Sequence, residues 1–258
     1  MYFWDYSFET PQENLAFDEA LLEHMDALST SDGELLRLWQ MPEPCVVIGR
    51  SSKVALEVNL EACQRDRIHV LRRMSGGASI VAGPGCMMFS LLLSLDQRPE
   101  CRGLDEAHRC VMGRMQRSVQ AALGAIGSSC DVAVQGVCDL TIDGRKISGN
   151  ALRLKRSWMI YHGTLLLDMP LEWIATYLRQ PPKQPEYRQG REHRDFVSSL
   201  GSRIADLSKF NAEFVLSSVS EWDAHRPFGE HPFANNFEDH TRDWVSRRYG
   251  DPAWHLQR

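Results

Sequence analysis

The spacing of apolar residues changes several times along the chain, and each change predicts an element. Residues 12–28 put Leu15, Ala16, Ala20, Leu22, Met25 and Leu28 at helical intervals behind Pro11, which suits a first helical position. A helix therefore opens the fold. ELLRLWQ and CVVIG read as strands separated by MPEP, and residues 56–66 as a short helix leading to the strand IHVLRR. A glycine-rich turn follows over residues 75–85. The run CMMFSLLLSL then has the length of a buried strand, and residues 104–126 carry a long helical pattern that stops near Gly127.

The second half repeats the logic with sharper turns. Two strands flank Asp143-Gly144, a strong hairpin signal, within CDLTIDGRKISGNALRL, and WMIYHGTLLLDM supplies a third. Residues 180–194, rich in Pro, Gln and charge, read as a loop suited to act as a lid. One more helix is expected over 207–220, and no internal repeat is evident. Short hairpin turns imply antiparallel pairing. The expected class is therefore α+β, with helices packed on a mixed or antiparallel sheet.

Composition narrows the function classes. A chain of 258 residues with 43% hydrophobic content can bury a substantial core, and its net charge of −5 does not favour nucleic acid as a partner. No apolar stretch is long enough to span a membrane, and MYFWDYSFET lacks the features of a secretion signal. These point to a cytoplasmic protein. Seven cysteines, none in a C-x-x-C pair, argue for free thiols over a disulfide framework or a zinc site.

Two segments carry candidate chemistry. In LRRMSGGASIVAGPG, Arg72 and Arg73 enter a turn where Gly76 and Gly77 let backbone N–H groups approach an anion, beside guanidinium forks suited to carboxylate or phosphate. Solvated arginines on an edge strand before an ordinary turn would fit the same residues. In DGRKISGNA, strand alternation points Lys146, Ser148 and Asn150 to one face, with Arg145 and Ile147 on the other. Such a lysine could stabilise charge growing on an acyl phosphate or a carbonyl; it could equally be a solvent-facing residue beside a hairpin.

NLAFDEALL, VVIGR, RRMSGG, DGRKISGNA and HGTLLLD together resemble, in order and spacing, the lipoate-protein ligase A family, within a superfamily that includes octanoyltransferases and biotin-protein ligases. The resemblance spans most of residues 12–178. It implies the catalytic-domain fold of biotinyl/lipoyl-protein ligases, here as a single domain over residues 1–258. It also implies attachment of lipoate or octanoate to a lysine of a lipoyl domain, on a 2-oxoacid dehydrogenase E2 or a glycine cleavage H protein. ATP with Mg2+ would first form an acyl-adenylate. Lys146 matches the family lysine that holds the reacting carboxyl and phosphate oxygens, and Arg72 the position that meets them. Gly76 and Gly77 match the loop that closes over the site, and His162 a histidine near the nucleotide. Arg73, Ser75, Ala78, Gly149, Gly163 and Thr164, with Ser148 and Asn150, are the neighbouring substrate-binding candidates. Leu22 and Phe89 are candidates for the acyl tunnel.

The chain departs from the pattern at Ala78, where many ligases have a third glycine, at Ala82, Gly83, Gly85 and Cys86, and at Cys138-Asp139, where the family reads Asn-Asp. Some bacterial ligases also carry a C-terminal accessory domain, so full ligase activity here would need a second polypeptide. The rival reading is an octanoyltransferase that takes its acyl group from acyl carrier protein as a cysteine thioester. Cys138, Cys86 and Cys130 are the candidate nucleophiles for it. A non-catalytic protein that binds a lipoyl domain or an acylated ligand is a third reading, and the presence of Lys146 argues against it.

Overall fold

In the computed structural model, which describes residues 1–28 and 30–257, the longest apolar run lies in the middle of the sheet. The strands are β1 (Tyr2–Asp5), β2 (Leu35–Gln40), β3 (Cys45–Ile48), β4 (His69–Arg72), β5 (Ile80–Ala82), β6 (Cys86–Ser94), β7 (Ala133–Gln135), β8 (Asp139–Ile142), β9 (Arg145–Leu154), β10 (Trp158–Leu166) and β11 (Arg226–Pro227). The helices are α1 (Pro11–Ala27), α2 (Val54–Glu57), α3 (Leu60–Arg65), α4 (Leu104–Ala125), α5 (Glu172–Tyr177), α6 (His193–Phe196), α7 (Leu207–Trp222), α8 (Phe237–Trp244) and α9 (Pro252–Leu256).

Eight strands form one sheet in the order β11-β1-β2-β6-β10-β9-β8-β7, and β4-β3-β5 form a second. Strands β2, β6, β10, β9, β8 and β7 pair antiparallel, whereas β1 joins β2 in parallel, so the sheet is mixed and the fold α+β as expected. Every residue of β6 and β10 is buried because both sheet faces are covered. That is why β6 reads as an unbroken apolar run, without alternation. On one face Leu91, Leu93, Met159 and Tyr161 meet Val111 and Met115 of α4 and Phe210 and Phe214 of α7. On the other, Leu92 and Ile160 meet Phe17, Leu21 and Met25 of α1. The small sheet closes a third core, where Val46, Ile48, Leu71 and Val81 pack with Ala62, Ile174 and Phe196.

Local sequence explains the ends of α1. Thr10 caps it: its hydroxyl accepts from Glu13 N–H at 3.2 Å, while Glu13 Oε2 accepts from Thr10 N–H at 3.2 Å, a reciprocal box worth about 1 kcal/mol. Two expectations need correction. The helix over 56–66 is two short helices, because the chain extends at Val58 and Asn59 restarts it by capping Ala62 N–H. The turn over 75–85 contains β5, whose Ile80 and Val81 pair with β3. Residues 180–194 are ordered by a single turn at Glu186–Arg188 and the start of α6, and they pack over the site described below. Among the described residues no helix is long and apolar enough to cross a membrane.

Candidate active site

The β8–β9 hairpin does not keep simple alternation. Thr141 pairs with Lys146 but Leu140 pairs with Ser148, which leaves Ile147 without a partner on β8. This one-residue bulge changes the parity of the strand. Lys146 and Ser148 therefore do not share a face, so the hydroxyl leaves the expected lysine-hydroxyl-amide trio, whereas Asn150 lines the same cavity as Lys146. Ser148 is 1% exposed and accepts from Asn150 Nδ2 at 3.1 Å. Lys146 instead folds over Gly149, where an added Cβ would sit 2.7 Å from Nζ. Thr164 fixes that glycine: its hydroxyl accepts from Gly149 N–H at 3.2 Å.

Lys146, 26% exposed, pairs with Asp139 at 2.8 Å. The other oxygen of Asp139 accepts from Tyr187 O–H at 2.7 Å, so the 180–194 segment is tied to the lysine through one carboxylate. Burial and the Asp139 charge push the Tyr187 phenol up, and it stays a neutral donor.

Two cavities meet at Lys146, Gly149, Thr164 and Ala78. One, of about 100 Å³, is walled by Leu15, Trp39, Val47 and Met88 and carries Arg73 and His162 at its polar end. The other, of about 130 Å³, is walled by Leu166, Ile174, Leu178 and Phe196 and rimmed by Arg179, Lys183, Arg188 and His193. Burial and the neighbouring Arg188 charge hold His193 below its ordinary range, so this rim draws its positive charge from the arginines and the lysine.

The glycine turn is braced from beneath. Arg73 is buried and donates to Ser75 Oγ and to the carbonyls of Val47, Gly76 and Ala78 at 2.5–3.2 Å. Burial pulls its guanidinium down to about 10, which leaves it charged at neutral pH. Gly77 has φ +87°, and a Cβ there would lie 2.9 Å from Arg73 Nη2. Gly49 is just as constrained, since its Cβ would lie 2.0 Å from the Gly77 carbonyl oxygen. Gly76 meets nothing within 4 Å. Glu57 accepts from Ser79 N–H and O–H at 2.7 and 2.8 Å and ties down the far side of the turn.

A polar chain runs below this turn into α1. Ser75 Oγ lies 2.5 Å from His162 Nε2, and His162 Nδ1 lies 3.4 Å from Asp18 Oδ2. Asp18 also accepts from Ser90 O–H at 2.7 Å and from Arg37 at 3.2 Å. Ser75 Oγ also accepts from Arg73 Nε at 3.0 Å, so one hydroxyl joins the histidine to the buried guanidinium. The order Ser-His-Asp is that of a nucleophilic triad, but Ser75 is 0% exposed and lines neither cavity. The chain positions the turn; it does not attack a substrate.

The model of the lipoyl protein ligase A/B catalytic domain matches residues 10–219. The chain belongs to that family. It is 27% identical over 200 residues to the lipoate-protein ligase LplJ of Bacillus subtilis, covering 78% of this chain and 54% of the relative. It is also 28% identical over 216 residues to a lipoate-protein ligase A homologue of Schizosaccharomyces pombe, covering 84% and 53%. The chain thus spans about half the length of the curated relatives it matches. Among solved structures, it is similar to a bipartite lipoate protein ligase of Thermoplasma acidophilum studied with its E2 lipoyl domain, with TM-score 0.78 and 19% identity over 100% of this chain and 97% of that one. A lipoate-protein ligase A bound with ATP matches at TM-score 0.77 and 18% identity, over 99% of each chain.

The family motifs are not all deployed as the resemblance implied. Arg72 lines neither cavity. Its guanidinium donates to the carbonyls of Gly49, Arg50, Ser52, Trp254, His255 and Gln257, tying α9 to β4. Arg73 is the arginine at the cavity. Leu22 is packed in the α1 core and Phe89 in the α4 core, because Leu22 lies two turns past Leu15 and Phe89 faces opposite to Met88. Gly163 serves the backbone: a Cβ there would lie 1.7 Å from Asn150 Oδ1. Asn150 in turn donates to the Cys138 carbonyl at 2.7 Å.

The candidate thiols do not line either cavity. Burial, then the Asp139 charge, pushes Cys138 up to about 11, and its S–H donates to the Asn150 carbonyl at 3.1 Å. Cys86 is fully buried and pushed up to about 12. Cys130 packs against the α4 core. Asp18 and Glu57 are not among the sequence candidates, and Asp139 enters there only as the second residue of the Cys138-Asp139 departure, without a link to Lys146 or Tyr187. Asp18 does leave a local signal, as an acid within the apolar spacing of NLAFDEALL.

Proposed function

We propose that this protein attaches lipoate or octanoate to a lysine of a lipoyl domain by way of an acyl-adenylate made from Mg-ATP. The observation that carries this reading is the junction at Lys146, where one ammonium stands between an apolar cavity and a cation-rimmed one. The apolar cavity suits an acyl chain, with its carboxylate toward Arg73 and Lys146. Arg179, Lys183 and Arg188 suit the phosphates of a nucleotide.

In the first step the acyl carboxylate attacks the α-phosphorus, an O–P bond forms and pyrophosphate leaves. In the second the acceptor amine attacks the acyl carbon, AMP leaves and the amine proton passes to solvent. The acyl phosphate is already activated, so the chain supplies position and charge and no nucleophile of its own. Lys146 would exchange Asp139 for the anionic oxygens as charge builds on them, while Asp139 keeps its bond from Tyr187.

The T. acidophilum neighbour supports an E2 lipoyl domain as the acceptor, with a glycine cleavage H protein as the second candidate. That ligase is bipartite, which supports a second polypeptide taking part here, in a cytoplasmic reaction around one catalytic domain. The test is the mass of an apo lipoyl domain after incubation with this protein and lipoate plus Mg-ATP, or with octanoyl-acyl carrier protein alone. Synthetic lipoyl-adenylate serves as a third donor that bypasses adenylation. Gain from lipoyl-adenylate, with or without gain from ATP, supports the proposal. Gain from the acyl carrier protein alone overturns it in favour of a thioester route.

A further inference from the structure

A second reactive cluster lies on the opposite side of the large sheet. Cys101 ends the single turn Pro99–Cys101 that leads into α4, and Cys110 lies on the second turn of that helix. Their sulfur atoms and a Glu100 carboxylate oxygen are all within 4.8 Å of one another. Cys101 is 0% exposed, whereas Cys110 is half-buried and reachable from solvent. Closing to a disulfide at about 2.05 Å needs a shift of less than ~3 Å, spread over two side chains.

The surroundings favour a thiolate over a bound cation. Arg98, Arg114 and Arg117 act on Cys110, against its partial burial and the charge of Glu100. Two of these arginines are held in place by Trp222, with Arg114 4.8 Å and Arg98 5.6 Å from its ring centre. Arg98 is further fixed by Glu34 at 2.6 Å, and Arg117 by Glu221 at 2.6 Å. The adjacent Cys101 thiol and then the Arg114 charge hold the Cys110 thiol below its ordinary value, and the closeness of Cys110 pushes Cys101 up. Elsewhere burial pushes the thiols of Cys45, Cys63, Cys86 and Cys138 up. A low-lying, accessible thiolate beside a second thiol is the arrangement of a peroxide-sensitive pair.

We propose that Cys101 and Cys110 form a peroxide-oxidisable dithiol that closes to an intramolecular disulfide, a modification site separate from the Lys146 cavities. Cys110 thiolate attacks one oxygen of hydrogen peroxide; an S–O bond forms, the O–O bond breaks, and the departing hydroxide takes a proton to leave as water. Cys101 then attacks the sulfenic sulfur of Cys110. The S–S bond forms, the S–O bond breaks, and the second hydroxide leaves as water with the proton of Cys101. Two thiols and one peroxide thus give one disulfide and two waters. The site requires no part of the acyl-transfer reading.

The test treats the whole protein with equimolar hydrogen peroxide, alkylates it in denaturant and maps the cysteines by peptide mass. Cys101 and Cys110 are expected to be joined, and to return to the alkylated form after dithiothreitol. Cys110→Ser should leave Cys101 fully alkylated, and Cys101→Ser should trap a dimedone-reactive sulfenic acid on Cys110. The proposal is overturned if both cysteines of the wild-type protein remain alkylated, or if oxidation falls first on Cys130. It is also overturned if Cys101 oxidises equally fast in Cys110→Ser. The wild-type map decides the matter even if Cys101→Ser fails to fold.

Discussion

The glycine turn and the lysine strand face the same two cavities but are built on opposite principles. The turn rests on buried, mutually satisfied polar groups, from Arg37 through Asp18, His162 and Ser75 to Arg73. Such a network is costly to disturb, and it holds a fixed shape. Lys146 is 26% exposed, with one carboxylate and a glycine for neighbours, so its ammonium can change partner at modest cost. On the proposed reading, a site that first grips an anion and then releases AMP needs both: a frame that does not move and a charge that does.

Substitutions can separate the two. Lys146→Ala removes the mobile charge, and transfer from lipoyl-adenylate is expected to fall on the order of 10²- to 10³-fold, as for loss of one electrostatic donor to a transition state. Its thermal midpoint should stay near wild type, which calorimetry checks. Gly149→Ala puts a Cβ 2.7 Å from Nζ, so the lysine must swing aside. Rates should drop about tenfold or more, since misplacement of about 1 Å can cost as much as 10²-fold.

Ser75→Ala acts on the frame and should show the converse pattern. It strips a partner from His162 Nε2 and from Arg73 Nε, costing roughly 1–3 kcal/mol of stability in denaturant unfolding, with a smaller loss of rate than Gly149→Ala. Equal losses of rate and stability for Ser75→Ala and Lys146→Ala would erase the distinction. The smallest effect is expected for Cys138→Ser, whose transfer rate should match wild type, because that thiol is buried, pushed up to about 11 and outside both cavities.

The sequence made the local features legible. The apolar run of β6, the Asp143-Gly144 hairpin and Lys146 beside it each depend on neighbours within a few positions, and short-range pattern captured them. The family resemblance pointed to the two segments, the glycine turn and the lysine strand, that line the candidate cavities. What stayed hidden depended on partners far along the chain. Arg72 and Arg73 are adjacent, yet carbonyls some 180 residues away claim Arg72 and leave Arg73 at the cavity. The bulge at Ile147 reverses strand parity without any mark in the sequence, and the Asp18–His162 contact spans 144 positions. β1 and β11 are too short, at 4 and 2 residues, to show a period.

On the proposed reading, Lys146 supplies charge to the acyl phosphate on a frame that exists without it. Single-turnover transfer from synthetic lipoyl-adenylate to an apo lipoyl domain, measured for wild type and Lys146→Ala at matched folded concentration, tests it directly. A fall on the order of 10²-fold or more, with an unchanged unfolding midpoint, is the expected result. Equal rates for the two proteins would contradict it.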